Sequence, residues 1–313
     1  MSARWASASG LERIFQCPAS AVLPHSQDTS IAAKSGQDDH AALEVACGHE
    51  PPEFIRMPKG ESVSSVELRV PRNSLSEQAY GYDVVADVVF GWGRLESERA
   101  YPETPYSVVT GTADVVGVDE LDGKRVVRIV DWKTGSSEHL SDSMQLRTLA
   151  FMAARFHGAE IAQTRITYVR GGVVSHVPSR TWSAAELAAT GVLLRKKYDE
   201  VNKLGWKKDE IGLGHVKRGP GCHFCPSVVS CPYFQQLFKG QLGQLQTGDM
   251  REFYFNKEAL RTALDRMTDG LKIAASSGPI DLGEGLWYGK KNGKFIKFRE
   301  ERHGVHEEAG TPQ

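Results

Sequence analysis

The spacing of apolar positions changes several times along the chain. It alternates most clearly between Ser107 and Lys133, as Ser107-Val-Val-Thr-Gly-Thr-Ala-Asp-Val-Val-Gly-Val118 and then Lys124-Arg-Val-Val-Arg-Ile-Val-Asp-Trp-Lys133. Two such runs joined by Asp119-Glu-Leu-Asp-Gly123 predict a β-hairpin that turns at Asp122-Gly123. Residues 161–169 and 173–178 read as two further strands across Gly171-Gly172. Residues 142–157 carry a helical period, with Ser141 or Asp142 as the cap and Gly158 as the stop. Residues 183–204 carry another, opened by Ser183 with Glu186 at capping-box spacing. An Ala-rich segment, 28–47, reads as a helix that Asp28 or Ser30 caps and Gly48 ends. Leu260, Leu264, Met267 and Leu271 predict a last helix from Asn256 to about Ala275, followed by a small hairpin around Asn292-Gly293. Residues 51–80 follow no single period, and 83–90 fit a strand or a short helix equally.

Composition narrows the class. The chain has 313 residues, 40% hydrophobic and 25% charged, which suits a soluble globular protein with a sizeable core. No apolar run approaches the length of a membrane span, and Met1-Ser-Ala-Arg-Trp-Ala-Ser7 lacks the pattern of a secretory signal, so a cytoplasmic protein without membrane contact is expected. A net charge of −1 excludes a uniformly basic nucleic-acid coat but leaves room for a local basic groove.

The hairpin carries the first candidate chemistry. With Asp122-Gly123 as a two-residue turn, Leu121 pairs with Lys124, Asp114 falls opposite Asp131 and Thr112 opposite Lys133. Opposed side chains share a face at about 5 Å between Cβ atoms, and Lys133 joins that face two residues beyond Asp131. Val116, Val118, Val127 and Ile129 continue it as an apolar surface. Paired acids repel unless a cation offsets them, and two hard oxygen ligands suit Mg²⁺ or Mn²⁺. A neighbouring lysine would hold a water or a scissile phosphate. The plainer reading is a pair of solvated strand-end acids with a surface salt bridge.

The cysteines carry the second. Cys222, Cys225 and Cys231 form C-x2-C-x5-C, and Cys17 is the best fourth ligand. Three of these four precede proline: Cys17, Cys225 and Cys231. Four thiolates suit zinc or an iron–sulfur cluster, and tying residue 17 to 222 closes a loop of about 200 residues. Cys47 reads as a small buried residue. Basic residues gather at 195–218, with eight Lys or Arg (Lys207 and Lys208 among them) against four acids, and at 290–299, where Lys290, Lys291 and Lys294 meet no acid. Interleaved aromatics such as Trp206, Trp287 and Phe295 allow base stacking along a phosphate-tracking groove; two solvated faces around core aromatics are the alternative.

These features together resemble one family. The chain is similar to PD-(D/E)XK nucleases of the RecB type, in the iron–sulfur branch that includes the AddB nuclease domain, the CRISPR-adaptation exonucleases and phage relatives. Gly36-Gln-Asp-Asp-His40-Ala-Ala-Leu-Glu44 resembles the G-x3-H-x3-E helix, Gly111-Thr-Ala-Asp114 the G-x-x-D strand, and Asp131-Trp-Lys133 the (D/E)-x-K strand. Gln145-Leu-Arg-Thr-Leu149 resembles the following Q-x3-Y helix, with leucine in place of tyrosine. Cys17, Cys222, Cys225 and Cys231 match the split pattern around a 4Fe–4S cluster.

The resemblance covers about residues 9–235 and implies an α/β, restriction-endonuclease-like core: a mixed central sheet flanked by helices, with the cluster stapling the N- and C-terminal parts. It implies a nuclease domain, placed over 1–238; the resemblance carries nothing to 239–313, which the residue pattern reads as a C-terminal extension of a helix, a hairpin and a mobile tail. It further implies a metal-dependent DNA exonuclease of recombination, repair or phage DNA processing, acting at single- or double-stranded ends beside a recombinase or helicase. Asp114, Asp131 and His40 would hold Mg²⁺ or Mn²⁺, Lys133 and Gln145 would serve catalysis, and Glu44 would orient the His40 ring. Lys207, Lys208, Lys290, Lys291 and Lys294 would bind DNA, and zinc is the alternative occupant of the thiol site. The competing function is an inactive DNA-binding or recombination scaffold that keeps the fold.

Overall fold

The computed structural model describes residues 5–25, 31–47, 50–95, 101–135, 138–205, 210–219, 221–222 and 225–238. Toward the C-terminus it describes 257, 260–261, 264–265, 268, 271–272, 274–281, 286–291 and 294–299. The chain divides into two compact units, Met1–Ala259 and Leu260–Gln313.

In chain order the first unit contains β1 (Ala6–Ser7), α1 (Leu11–Gln16), α2 (Ile31–Leu43), β2 (Phe54–Arg56), β3 (Ser62–Ser64) and α3 (Ser65–Leu68). It continues with β4 (Leu75–Asp83), β5 (Val88–Arg94), β6 (Val108–Leu121), β7 (Lys124–Lys133), α4 (Met144–His157) and β8 (Ile161–Arg170). It ends with β9 (Val173–His176), β10 (Arg180–Trp182), α5 (Ala184–Gly205) and α6 (Pro232–Phe238). One mixed sheet runs β10-β8-β7-β6-β4-β5, with β1 added to β6 and β9 to β8. The β7–β8 pair is parallel because α4 carries the chain back across the sheet between them.

Each face of the sheet buries a core. The larger packs α1, α4 and α5 against Tyr80, Tyr82, Val109, Ala113, Val116, Val127 and Ile129. The smaller packs Leu43 of α2, the separate β2–β3 hairpin and Leu68 of α3 against Val115, Val130, Trp132 and Val169. Gly111 fits the larger core by having no side chain: a Cβ there would meet Ala8 Cβ and Leu149 Cδ2, each at 2.8 Å. That close approach seats α4 directly on β6.

Several expectations hold and several shift. Asp122 and Gly123 both take positive φ, 51° and 72°, and Leu121 pairs with Lys124 as the type I′ turn requires. Ser183 and Glu186 form the reciprocal cap at the start of α5. The cap of α4 is Ser143, whose hydroxyl accepts from the Leu146 amide at 3.3 Å, rather than Ser141 or Asp142. The 28–47 helix is α from Ile31 to Leu43 and 3-10 from Glu44 to Cys47. Residues 83–90 are neither a single strand nor a helix. Asp83 ends β4, its carboxylate accepts from the Val85 and Ala86 amides, and the chain reverses into β5. Local side-chain capping of a turn overrides the apolar pattern there.

In the second unit, every described residue between 260 and 276 is helical, and β11 (Ile280–Asp281), β12 (Leu286–Lys291) and β13 (Lys294–Arg299) form an antiparallel sheet. Lys291 pairs with Lys294, as the hairpin expectation required, and Tyr288 stacks on Phe295 at 6.1 Å. The expected mobile tail lies outside the described residues. Among the described residues, no helix is long and apolar enough to cross a membrane.

Candidate functional site

The hairpin strands part where their acids begin. The β6–β7 ladder runs from the turn to Val115↔Val130 and records no pair at Asp114 and Asp131. On the other side of β6, Leu75 to Asp83 pair in constant register, but Glu77, which that register sets opposite Asp114, is skipped. Glu77 has a φ of 49°, the left-handed region that a glutamate rarely adopts. The break changes which residues face the larger core. On the turn side of Asp114 it is Val116, and beyond Asp114 it is Ala113 and Val109. Asp114 therefore sits at a fault in the alternation, where neither acid continues the apolar surface.

Asp114 uses both oxygens. Its Oδ2 accepts from the Trp132 backbone N–H at 2.7 Å, and its Oδ1 lies 3.6 Å from Nδ1 of His40 on α2. The His40 ring stands edge-on to Trp132, with centroids 6.3 Å apart. Ligand atoms of His40, Glu77 and Asp114 all lie within 4.8 Å of one another, the one such group among the described residues. Asp131 is held from the other side. Its Oδ2 is 2.7 Å from Lys133 Nζ, and its Oδ1 faces Gln145 Nε2 of α4 at 3.3 Å. The site thus forms where the two helix layers meet at the open end of the hairpin.

Both carboxylates are 4% exposed, so burial opposes their charge. At Asp114 burial is outweighed by His40, Lys133 and the Trp132 amide, and the carboxyl stays below the usual carboxylate range. At Asp131 burial prevails. Lys133 draws the group down, the Asp114 charge pushes it back up, and it titrates at about 6. Burial lowers His40, but Asp114 and then Asp131 raise it further, and its net shift is upward. The arrangement suits a positive charge: a buried acid cluster, an oxygen–nitrogen donor set of the size of one ion's shell, and a lysine at its rim. His40, Glu77 and Asp114 offer donors that suit a hard divalent cation.

The sequence reading brought Asp114, Asp131, Lys133, His40 and Gln145 to one place, and the structure gathers all five there. It missed Glu77. No local signal marks that residue, and only the β4–β6 register sets it opposite Asp114. Two ideas change. Glu44 pairs with Arg94 at 2.5 Å instead of orienting His40, because the chain tightens into a 3-10 turn after Leu43. Leu149, where the resemblance has tyrosine, is 1% exposed and packs into the larger core.

The four cysteines also meet. Cys17, Cys222, Cys225 and Cys231 line one cavity with Arg13 and Phe234. The segments around them interlock: the Gly221 amide donates to Gln16 Oε1 at 2.9 Å, Ser227 Oγ to the carbonyls of Ser20 and Leu23, and Ser230 Oγ to that of Pro24. The Lys217 amide points at Cys17 Sγ at 3.4 Å. Burial pushes the Cys222 thiol up to about 11, with Cys225, Cys17 and Cys231 adding to the rise. Cys225 and Cys231 are raised by burial too, against Arg13 beside the first and backbone hydrogen bonds at Phe234 and Tyr233 beside the second. Cys47, half-buried rather than buried, stands apart from them.

Of the basic residues, Lys207 and Lys208 lie outside the described residues, as do the side chains of Lys290 and Lys291. Lys294 is exposed at the start of β13. Two members of the 195–218 group serve the fold. Arg195 reaches Asp87 at 3.3 Å and the Val84 carbonyl, and Lys197 pairs with Glu200 at 2.5 Å.

Comparison with known proteins adds a family. The family model of the PD-(D/E)XK nuclease superfamily matches residues 6–232. No curated protein matches the chain. Among solved structures, a crystal structure of SSO0001 overlaps with a TM-score of 0.34 at 13% identity, over 65% of this chain and 71% of that one. The family match spans most of the chain, including every residue of the acid cluster and both parts of the cysteine set.

Proposed function

We propose that this chain, which belongs to the PD-(D/E)XK nuclease superfamily, is a divalent-metal-dependent deoxyribonuclease that digests DNA from its ends with little sequence specificity. Members of the superfamily are typically metal-dependent nucleases. The observation that carries the reading is the convergence of His40, Glu77 and Asp114 within 4.8 Å, with the Asp131–Lys133 pair alongside. The reading extends to a role in recombination, repair or phage DNA processing.

His40, Glu77 and Asp114 would hold Mg²⁺ or Mn²⁺, with Asp131 completing the negative wall. The cation would supply Lewis acidity toward a phosphoryl oxygen and a more acidic water. The residues do the rest. The Trp132 amide fixes the Asp114 carboxylate, so its other oxygen faces His40 and Glu77. Gln145 fixes Asp131 in the same way. Lys133, 22% exposed at the rim, would place its ammonium against the attacking water and offset charge that develops on the scissile phosphate.

In this reading Cys17, Cys222, Cys225 and Cys231 hold a 4Fe–4S cluster that links the N-terminal segment to the segment before α6. Its role is that of a staple over a long chain loop, in a reducing, cytoplasmic setting. The thiols share a cavity, and four thiolates suit either zinc or a cluster; the resemblance of the split Cys17, Cys222, Cys225 and Cys231 pattern favours the cluster.

The test is digestion of end-labelled linear single- and double-stranded DNA and of circular DNA, with Mg²⁺, Mn²⁺ or chelator. Metal-dependent shortening of linear DNA is expected, with a loss of at least a hundredfold in Asp114→Asn and Lys133→Ala. Intact linear DNA with either metal refutes the enzyme and leaves the binding scaffold. Circular DNA cut as fast as linear DNA refutes the requirement for ends.

A further inference from the structure

On the face of the sheet away from α4, a cleft of about 560 Å³ opens between the loop after α3 and the strands β7 and β8. Four arginines line it: Arg69 and Arg72 from the loop, Arg128 from β7 and Arg165 from β8. The acid among its lining residues is Asp119, 3.2 Å from Arg128 Nε. One anion therefore stands against four cations, in a concave site of the size that takes small ligands, roughly 300–1,000 Å³.

The cleft is built into the fold. Pro71 is pressed onto β6 at Gly117, where a Cβ would come within 2.5 Å of Pro71 Cβ, so the loop is seated on the sheet by the missing side chain. Arg69 and Asn73 both take the left-handed backbone, φ 50° and 53°, which bends the loop sharply on either side of Pro71. Arg165 is locked by its NH2 group donating to the carbonyls of Leu68 (3.2 Å) and Arg69 (2.5 Å). Its Nε is buried with no hydrogen-bond partner among the described residues. Burial, and then Arg69 and Arg128, hold the Arg165 guanidinium below its usual value. Held guanidinium groups that repel one another are the setting in which a bound oxyanion gains most, because planar N–H forks match phosphate oxygens in pairs.

We infer that this cleft is a second binding site, for the phosphate groups of a nucleotide or of a nucleic-acid strand, separate from the acid cluster. Arg128 and Arg165 lie on strand positions three and one residues short of Asp131 and Ile166, which pair across β7 and β8, and they sit nearer the hairpin turn. The site stands on its own charge and shape and does not depend on the chain being a nuclease.

The test uses the full chain in chelator, so that neither metal binding nor cleavage contributes. A dye-labelled single-stranded oligonucleotide is titrated by fluorescence anisotropy at several salt concentrations, with dAMP and inorganic phosphate as competitors. Arg69→Gln/Arg72→Gln removes two exposed charges whose side chains make no hydrogen bond or ion pair among the described residues, and the single Arg72→Gln serves as a milder second variant. The double variant is expected to bind at least tenfold more weakly, with a salt slope smaller by about 1.4 if each arginine meets one phosphate of a single strand. Competition by dAMP or phosphate identifies a free nucleotide as sufficient ligand, and its absence identifies the strand; either supports the site. Equal affinity of wild type and both variants for every probe, or no binding by the wild type, overturns it. An inactive chain that still binds in this way would refute the nuclease reading alone.

Discussion

Asp131→Asn separates the burial of the acid cluster from its chemistry. In the native chain Asp131 titrates at about 6, against an ordinary value of 3.8, because burial and the Asp114 charge outweigh Lys133. The native state therefore holds a proton that the unfolded chain has released between about pH 4 and pH 6, and stability falls as pH rises through that window. Two pKa units correspond to about 3 kcal/mol, which the metal-free protein forgoes above pH 6 and recovers below pH 4. Asparagine mimics the protonated acid in shape and removes this term. The value of about 6 already includes the attraction of Lys133, so the loss of that anion does not reduce the gain further. We expect metal-free Asp131→Asn to be about 1–3 kcal/mol more stable than wild type at pH 8 and level with it at pH 4. For a unit of this size that is a rise in Tm of roughly 2–9 °C. The assay is thermal or urea unfolding in chelator across that pH range. Saturating Mn²⁺ should reverse the order, because wild type gains metal-binding free energy that the variant loses in part. A variant less stable at pH 8, or a gain that does not change with pH, refutes a buried acid cluster under charge strain.

Three further outcomes follow from the same geometry. Glu77→Gln should weaken Mn²⁺ binding by at least tenfold in calorimetry while shifting unfolding little; unchanged affinity would leave Glu77 outside the ion's shell. Cys222→Ser should abolish the brown colour and visible absorbance of an iron–sulfur protein and lower stability by about 2–4 kcal/mol, the range for losing a long-loop crosslink; a colourless wild type with stoichiometric zinc would refute the cluster. Gly117→Ala should drive a methyl into Pro71 at 2.5 Å and cost about 1–3 kcal/mol, with weaker oligonucleotide binding in chelator; an unchanged melt and unchanged binding would mean the loop does not rest on that contact.

The cluster explains why the fold tolerates an awkward strand. A left-handed glutamate and the ladder pairs left unformed around Asp114 cost stability, and they lie where a cation would offset the charges they bring together. Apart from half-buried Thr112, β6 is buried from Val108 to Gly117, while its turn end, with Val118 and Leu121, is exposed. The break in the β4–β6 ladder is confined to Glu77 and Asp114, one step from the Trp132 amide that holds the Asp114 carboxylate in place.

Local chemistry alone determined much of this. Asp122-Gly123 prescribes a type I′ turn, and that turn fixes the β6–β7 register as far as Val115↔Val130, which carries Asp114 and Asp131 together to the end of the ladder, because a two-residue loop leaves no freedom in strand pairing. The cap of α5 and the grouping of Cys222, Cys225 and Cys231 were legible for the same reason, since their partners lie within a few residues. The tertiary structure alone decided Glu77, the fault at Asp114 and the arginine cleft. Each joins segments far apart in the chain, and side-chain alternation within one strand carries no information about which residue of another strand will stand across from it. The same limit hid the β4–β5 turn, where Asp83 satisfies two amides that an apolar pattern would have given to a strand.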